Sequence, residues 1–177
     1  TPWILRDSFS QKPIYIQVSI PGENNETRQE PTHYHIYDAQ GNLLRENSEE
    51  HYSQVFGDYA VVQKGVSWLE GSTSRVVNRQ TGQLVYDGVS YVATRPEQAL
   101  VLCPDAQEAI LLARDGREIC RFHGITNAYF ANEDATSPIC VQNLAGQWAL
   151  YSASGQEMQA YENVYYSSMI GDYCIRE

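Results

Sequence analysis

Four segments of this chain share one design, in which a glycine closes a short polar run between two apolar stretches. They are His35-Ile36-Tyr37-Asp38-Ala39-Gln40-Gly41, Val76-Val77-Asn78-Arg79-Gln80-Thr81-Gly82, Ile110-Leu111-Leu112-Ala113-Arg114-Asp115-Gly116 and Ala149-Leu150-Tyr151-Ser152-Ala153-Ser154-Gly155. The glycines stand 41, 34 and 39 residues apart, within the roughly 20–50 residue periods of repeat architectures. Five residues before each glycine stand Ile36, Val77, Leu111 and Leu150; three residues after stand Leu44, Val85, Ile119 and Met158. Two apolar positions flanking a polar turn predict a β-hairpin with one buried position on each arm. Glycine suits the turn because a tight hairpin needs positive φ, which is costly for a residue carrying a Cβ. A helix is excluded, because each apolar run is broken by glycine or turn chemistry within about eight residues.

A third element follows each hairpin: Tyr86-Asp87-Gly88-Val89, Phe122-His123-Gly124-Ile125 and Tyr161-Glu162-Asn163-Val164, with Tyr52-Ser53-Gln54-Val55 as the match in the first copy. A strand-like run comes next: Tyr59-Ala60-Val61-Val62, Ala99-Leu100-Val101-Leu102, Ile139-Cys140-Val141 and Tyr173-Cys174-Ile175. The repeat therefore predicts one domain, 1–177, of units near 33–71, 72–106, 107–145 and 146–177. Residues 13–20 read as a lone strand that could close the array, and Trp3-Ile4-Leu5 as a remnant of a fifth unit. The composition agrees, since 13 tyrosines and only 19% charged residues favour strand over helix.

The last copy carries a more specific pattern. Gly146-Gln147-Trp148-Ala149-Leu150-Tyr151, followed by Gly155-Gln156-Glu157-Met158 and Tyr161-Glu162-Asn163-Val164, resembles a WG repeat. That family sets a Trp seven residues before the turn glycine, then an aromatic–acidic pair, then a Gly-led apolar strand, supplied here by Gly171-Asp172-Tyr173-Cys174-Ile175 and Gly57-Asp58-Tyr59-Ala60-Val61. Across the four copies the Trp position reads Tyr34, Arg75, Ala109 and Trp148. The resemblance implies a bacterial repeat protein of all-β fold, built as a small β-propeller or propeller-like array of about four units, with no family catalytic residues to carry over. Stacking logic points the same way, because one short-stranded unit cannot bury its face alone and closure removes exposed edges.

The formal charge, 22 acidic against 12 basic residues, is −10. Such a surface repels phosphate backbones, so nucleic acid is not an expected partner. No apolar stretch approaches the ~20 residues of a membrane-spanning helix. The start at Thr1 reads as a trimmed end that leaves export open, and a secreted or extracytoplasmic bacterial setting accompanies the resemblance. Cys103, Cys120, Cys140 and Cys174 form no CxxC pair and lie in apolar runs, which predicts buried thiols rather than a zinc site.

His33-x-His35 is the candidate metal pair, since residues two apart on a strand share a face, with Asp38 or His51 to complete the shell. The other copies carry Ser74 and Val76, or Glu108 and Ile110, at those places, so ordinary strand positions also account for them. Asp58 and Asp172 occupy equivalent positions, which favours a turn role over a glycosidase carboxylate pair. Nucleophile-elbow, phosphate-loop and EF-hand patterns are absent from the sequence. Among the aromatics, Trp68, Tyr91 and Tyr129 are candidate ligand-binding residues for peptides or sugars. The expected function is a non-enzymatic binding or protein-interaction module without a cofactor, its partner a protein or a cell-envelope glycan. The competing expectations are a carbohydrate-active or metal-dependent hydrolase and a structural spacer.

Overall fold

In the computed structural model the turn glycines adopt the backbone that the repeat requires: φ is +89° at Gly41, +73° at Gly82, +84° at Gly116 and +78° at Gly155. Each donates its N–H to a carbonyl at the head of its own turn, on Asp38, Asn78, Ala113 and Ser152 respectively. Three of those heads also accept with the side chain: Asp38 from the N–H groups of Gln40 and Asn42, Asn78 from Gln80 and Thr81, and Ser152 from Ser154 and Gln156. Such side-chain acceptors replace backbone partners in tight turns. The described residues are 2–20, 33–64, 73–162, 166–170 and 173–176.

The chain is all-β. Its first sheet holds β1 (Pro2–Arg6), β2 (Pro13–Ile20), β3 (His33–Asp38) and β4 (Leu43–Ser48). The second holds β5 (Glu50–Phe56), β6 (Tyr59–Lys64), β7 (Thr73–Asn78) and β8 (Leu84–Tyr86). The third holds β9 (Tyr91–Arg95), β10 (Gln98–Cys103), β11 (Glu108–Ala113) and β12 (Glu118–His123). The fourth holds β13 (Ile125–Phe130), β14 (Ile139–Asn143), β15 (Trp148–Tyr151) and β16 (Glu157–Glu162), and β17 (Tyr166–Ile170) pairs with β18 (Tyr173–Arg176). Each four-stranded sheet is an antiparallel meander in sequence order, the strand order of a propeller blade. The tandem array of about four hairpin-built units is thus present as four such sheets.

Two compact units divide the chain, Thr1–Asp87 and Gly88–Glu177. In the first, Leu5, Tyr15, Tyr34, Ile36, Tyr52, Val55, Ala60, Val62 and Val77 form one buried cluster. In the second, Leu100, Leu102, Ala109, Leu111, Phe122, Ile125, Ala128, Ile139 and Val141 form another. Central strands β10 and β11 are buried along most of their length, which explains why Ala99–Cys103 and Ala109–Leu112 read as unbroken apolar runs. Each large aliphatic buried there contributes roughly 1.5–3 kcal/mol.

Polar side chains tie sheets together inside the first unit. Gln17, fully buried, donates from Nε2 to the Tyr52 carbonyl at 2.8 Å and accepts the Tyr52 N–H on Oε1 at 2.7 Å. It thereby supplies β5 with the two bonds a neighbouring strand would make. Asp7, also buried, accepts the Gly57 N–H at 2.7 Å, the Ser10 N–H at 3.0 Å and the Ser10 hydroxyl. Burial opposes its ionisation, but these hydrogen bonds outweigh it and hold the carboxyl below its usual value.

Three expectations are corrected. The column five residues before each glycine is buried throughout, at 1% exposure for Ile36, 7% for Val77, 0% for Leu111 and 9% for Leu150. The column three residues after it is not: Leu44 is 52% exposed, Val85 37% and Met158 62%, and only Ile119 is half-buried. The second arm of each repeated hairpin is the last strand of its sheet (β4, β8, β12 or β16), with a partner strand on one side only. Residues 13–20 are not a lone closing strand either. They are β2, paired with β1 through Ile4↔Ile16 and with β3 through Gln17↔Ile36, so Trp3-Ile4-Leu5 belongs to a whole strand of the first sheet. Finally, Tyr52–Val55 lies inside β5, whereas Tyr86–Val89 and Phe122–Ile125 carry the chain out of one sheet towards the next through Gly88 and Gly124.

Candidate functional site

The second unit carries a cleft of about 620 Å³, a size typical of ligand sites, at the turn end of its third sheet. Its lining comes from three segments. The β9–β10 turn gives Pro96, Glu97 and Gln98; the β11–β12 hairpin gives Ala113, Arg114, Asp115 and Ile119; and the loop between β13 and β14 gives Ala135. Pro96 starts the first turn and Glu97 takes a φ of +67°, a left-handed backbone usually left to glycine or asparagine. The two turns are joined twice, by the Arg114 N–H on the Glu97 carbonyl at 2.8 Å and by an Arg114–Glu97 ion pair at 2.8 Å. A related pairing recurs in the first unit, where the Arg79 N–H meets the Asp58 carbonyl and the two side chains stand 4.0 Å apart.

Behind the cleft lies Arg95, only 4% exposed. Its Nε and Nη2 both donate to Gln98 Oε1, at 2.9 and 2.5 Å, and its Nη1 donates to the carbonyls of Asp134 and Ser137. The guanidinium sits 4.1 Å from the Phe130 ring centroid, within cation–π range. Gln98 in turn donates to the Ala153 carbonyl at 2.8 Å. All of these partners of Arg95 are neutral groups. Burial draws the guanidinium down to about 10, so it keeps its charge at neutral pH. One side chain thus clamps the loop 131–138, and with it the Ala135 wall of the cleft, to β9 and β10.

Sequence reading did not single out Arg95. The register gives the missed signal: Phe56, Arg95 and Phe130 are each the last paired residue before the first hairpin loop of their sheet, opposite Tyr59, Gln98 and Ile139. An arginine where two other copies carry phenylalanine marks a position whose neighbours supply acceptors.

The other candidates separate. His33 and His35 do lie on one face of β3, with Tyr34 and Ile36 buried on the other. His51, however, stacks on Tyr34 with ring centroids 4.5 Å apart, on the face opposite the histidine pair. Asp38 is occupied by its own turn, and His35 Nε2 lies 3.2 Å from Asn47 Oδ1. Among the described residues no group of three His, Cys, Asp or Glu side chains is placed to hold a metal ion. Cys103 and Cys140 are buried thiols and Cys120 a half-buried one. Tyr91 donates its hydroxyl to the Ala128 carbonyl, and burial pushes that hydroxyl up to about 12. Tyr129 packs edge-on against Trp148 at 5.4 Å. Tyr91 and Tyr129 are half-buried and pack within the second unit, while Trp68 and Asp172 lie outside the described residues.

No family model matches the chain, and no curated protein matches it. Among solved structures it is similar to the Dos1 propeller, at 7% identity and a TM-score of 0.40, over 89% of this chain and 46% of that one. A computationally designed protein, Ika8, matches at 14% identity and a TM-score of 0.43 over 98% of this chain and 54% of that one. A eukaryotic initiation factor matches at 9% identity and a TM-score of 0.40 over 92% and 54%. The chain spans about half the length of these structures.

Proposed function

We propose that this chain is a non-enzymatic protein-binding repeat module, one domain of WG-repeat type from a bacterial cell envelope, and that its cleft is a docking site. The observation that carries the reading is the cleft itself: an open depression lined by apolar Pro96, Ala113, Ile119 and Ala135 and by charged Glu97, Arg114 and Asp115, with the loop that carries Ala135 held by a buried arginine. Rigid support behind an accessible lining is what a binding surface needs, since ordering it on binding then costs little. A protein partner is favoured over a glycan because no tyrosine or tryptophan among the described residues lines the cleft, and sugar rings are commonly held against such faces.

A photo-crosslinking amino acid placed at Ile119, with Gln159 on β16, outside the cleft lining, as the control, tests the reading in a bacterial host. Protein adducts from position 119 and none from 159 are expected. Turnover of an oligosaccharide panel by the purified chain, with or without divalent metal, would replace the binding reading with the hydrolase one.

A further inference from the structure

We infer that the cleft takes an extended peptide segment in which an arginine or lysine is flanked by small aliphatic side chains. This rests on the protein-binding reading above and adds the chemistry of the partner.

The lining divides by character. Pro96, Ala113, Ile119 and Ala135 give the open cleft an apolar lining suited to aliphatic groups and to the methylene stem of a long basic side chain. The charges are Glu97, Asp115 and Arg114, and Arg114 is already engaged by Glu97 at 2.8 Å. Asp115 holds the Arg117 N–H on one oxygen, which leaves carboxylate acceptor capacity on a residue of the lining. Exposed Glu133 and Asp134 stand beside Ala135 on the same loop. An incoming guanidinium or ammonium can take over Glu97 or add to Asp115, whereas an incoming carboxylate would have Arg114 alone, already held by Glu97, against the two acidic groups Glu97 and Asp115. The chain's net charge of −10 steers cationic partners on the approach and opposes anionic ones.

The backbone at Glu97 gives a reason to look at that side chain in particular. Glycine fits a φ of +67° without strain, and a Cβ there is costly. Gln11, Asn47 and Gln107 share this left-handed backbone, and Glu97 is set apart from them by carrying a carboxylate on the cleft lining. Glu97→Gly should therefore raise the melting midpoint and at the same time weaken binding, a combination that a purely structural role does not produce.

The test uses the full chain and a fluorescein-labelled pentapeptide, Gly-Val-Arg-Val-Gly, against the Glu-centred counterpart, by fluorescence anisotropy. The Arg peptide should bind saturably and more weakly as salt rises, and the Glu peptide at least tenfold more weakly. Glu97→Gly and Asp115→Asn should each lower affinity severalfold, while Glu162→Gln on β16 leaves it unchanged. Equal binding of the two peptides, or indifference to both variants, overturns the inference. Failure of both peptides to bind also overturns it; protein adducts at Ile119 would then leave the protein-binding reading standing, and silence there would remove both.

Discussion

A single turn position separates the two reasons a glycine is required. At Gly41 an added Cβ would meet nothing within 4 Å, so Gly41→Ala carries only the cost of positive φ, about 1 kcal/mol. At Gly155 the same atom would lie 2.5 Å from Cys120 Cβ and 2.9 Å from its sulfur, in addition to a φ of +78°. Gly155→Ala should therefore cost about 2–4 kcal/mol, the backbone strain plus overpacking, and urea titrations of the two variants side by side would show the difference. His51 gives a second expectation at this scale. Burial holds its imidazole below 6.5, against a smaller opposing hydrogen bond with Gln63, and its Nδ1 is buried with no partner. Above 6.5 neither the folded nor the unfolded chain binds this proton. As pH falls below 6.5 the unfolded chain takes it up first, so stability declines and the loss levels off once the folded imidazole also protonates. Asp7 contributes nothing to that window, because its stabilising charge is lost only as pH falls below the ordinary carboxylate range. The urea midpoint should drop between pH 7.5 and 5.5, and His51→Phe, stacked on Tyr34, should flatten the drop; an unchanged slope would assign it to other groups.

The sheets turn one repeated sequence column into two physical environments. Ile36 and Val77 sit on the third strand of their sheets inside a packed cluster, and truncation to alanine should cost about 2–4 kcal/mol. Leu44 and Val85 sit on the fourth strand and are exposed, so Leu44→Thr and Val85→Thr should stay within about 0.5 kcal/mol of the parent. Chemical denaturation of the four variants tests this directly. The hairpins were legible because glycine and its polar turn head act locally: Asp38, Asn78 and Ser152 bond to residues two to four places on. Which arm faces a core was not legible, because both arms are apolar and only the count of neighbouring strands decides it.

At the scale of the molecule, two units with separate cores predict separable unfolding. Gln17→Leu removes both bonds to Tyr52 and leaves a buried N–H and C=O without partners, which should cost about 2–4 kcal/mol in Thr1–Asp87. Arg95→Ala leaves Gln98 Oε1 and the Ser137 carbonyl without donors and the Asp134 carbonyl with only the Ser137 N–H, a comparable cost in Gly88–Glu177. Scanning calorimetry should show each variant lowering a different transition, and one transition that shifts as a whole in both would mean that the units unfold together. Arg95→Lys should recover less than half of the loss, since a single ammonium cannot span Gln98 and two loop carbonyls as a planar fork does.

The sequence by itself determined the hairpin period, the all-β class and the buried inner column, because turn chemistry and apolar alternation act over a few residues. Tertiary structure alone decided that Ile14–Val18 lies between two strands of the first sheet, that Tyr91 and Tyr129 are used in packing, and that His51 turns away from His33 and His35. It also decided the candidate site. Arg95, Gln98, Asp134, Ser137 and Ala153 are joined by hydrogen bonds across as many as 55 residues. No local pattern encodes such bonds, because their geometry exists only after separate strands and loops have packed.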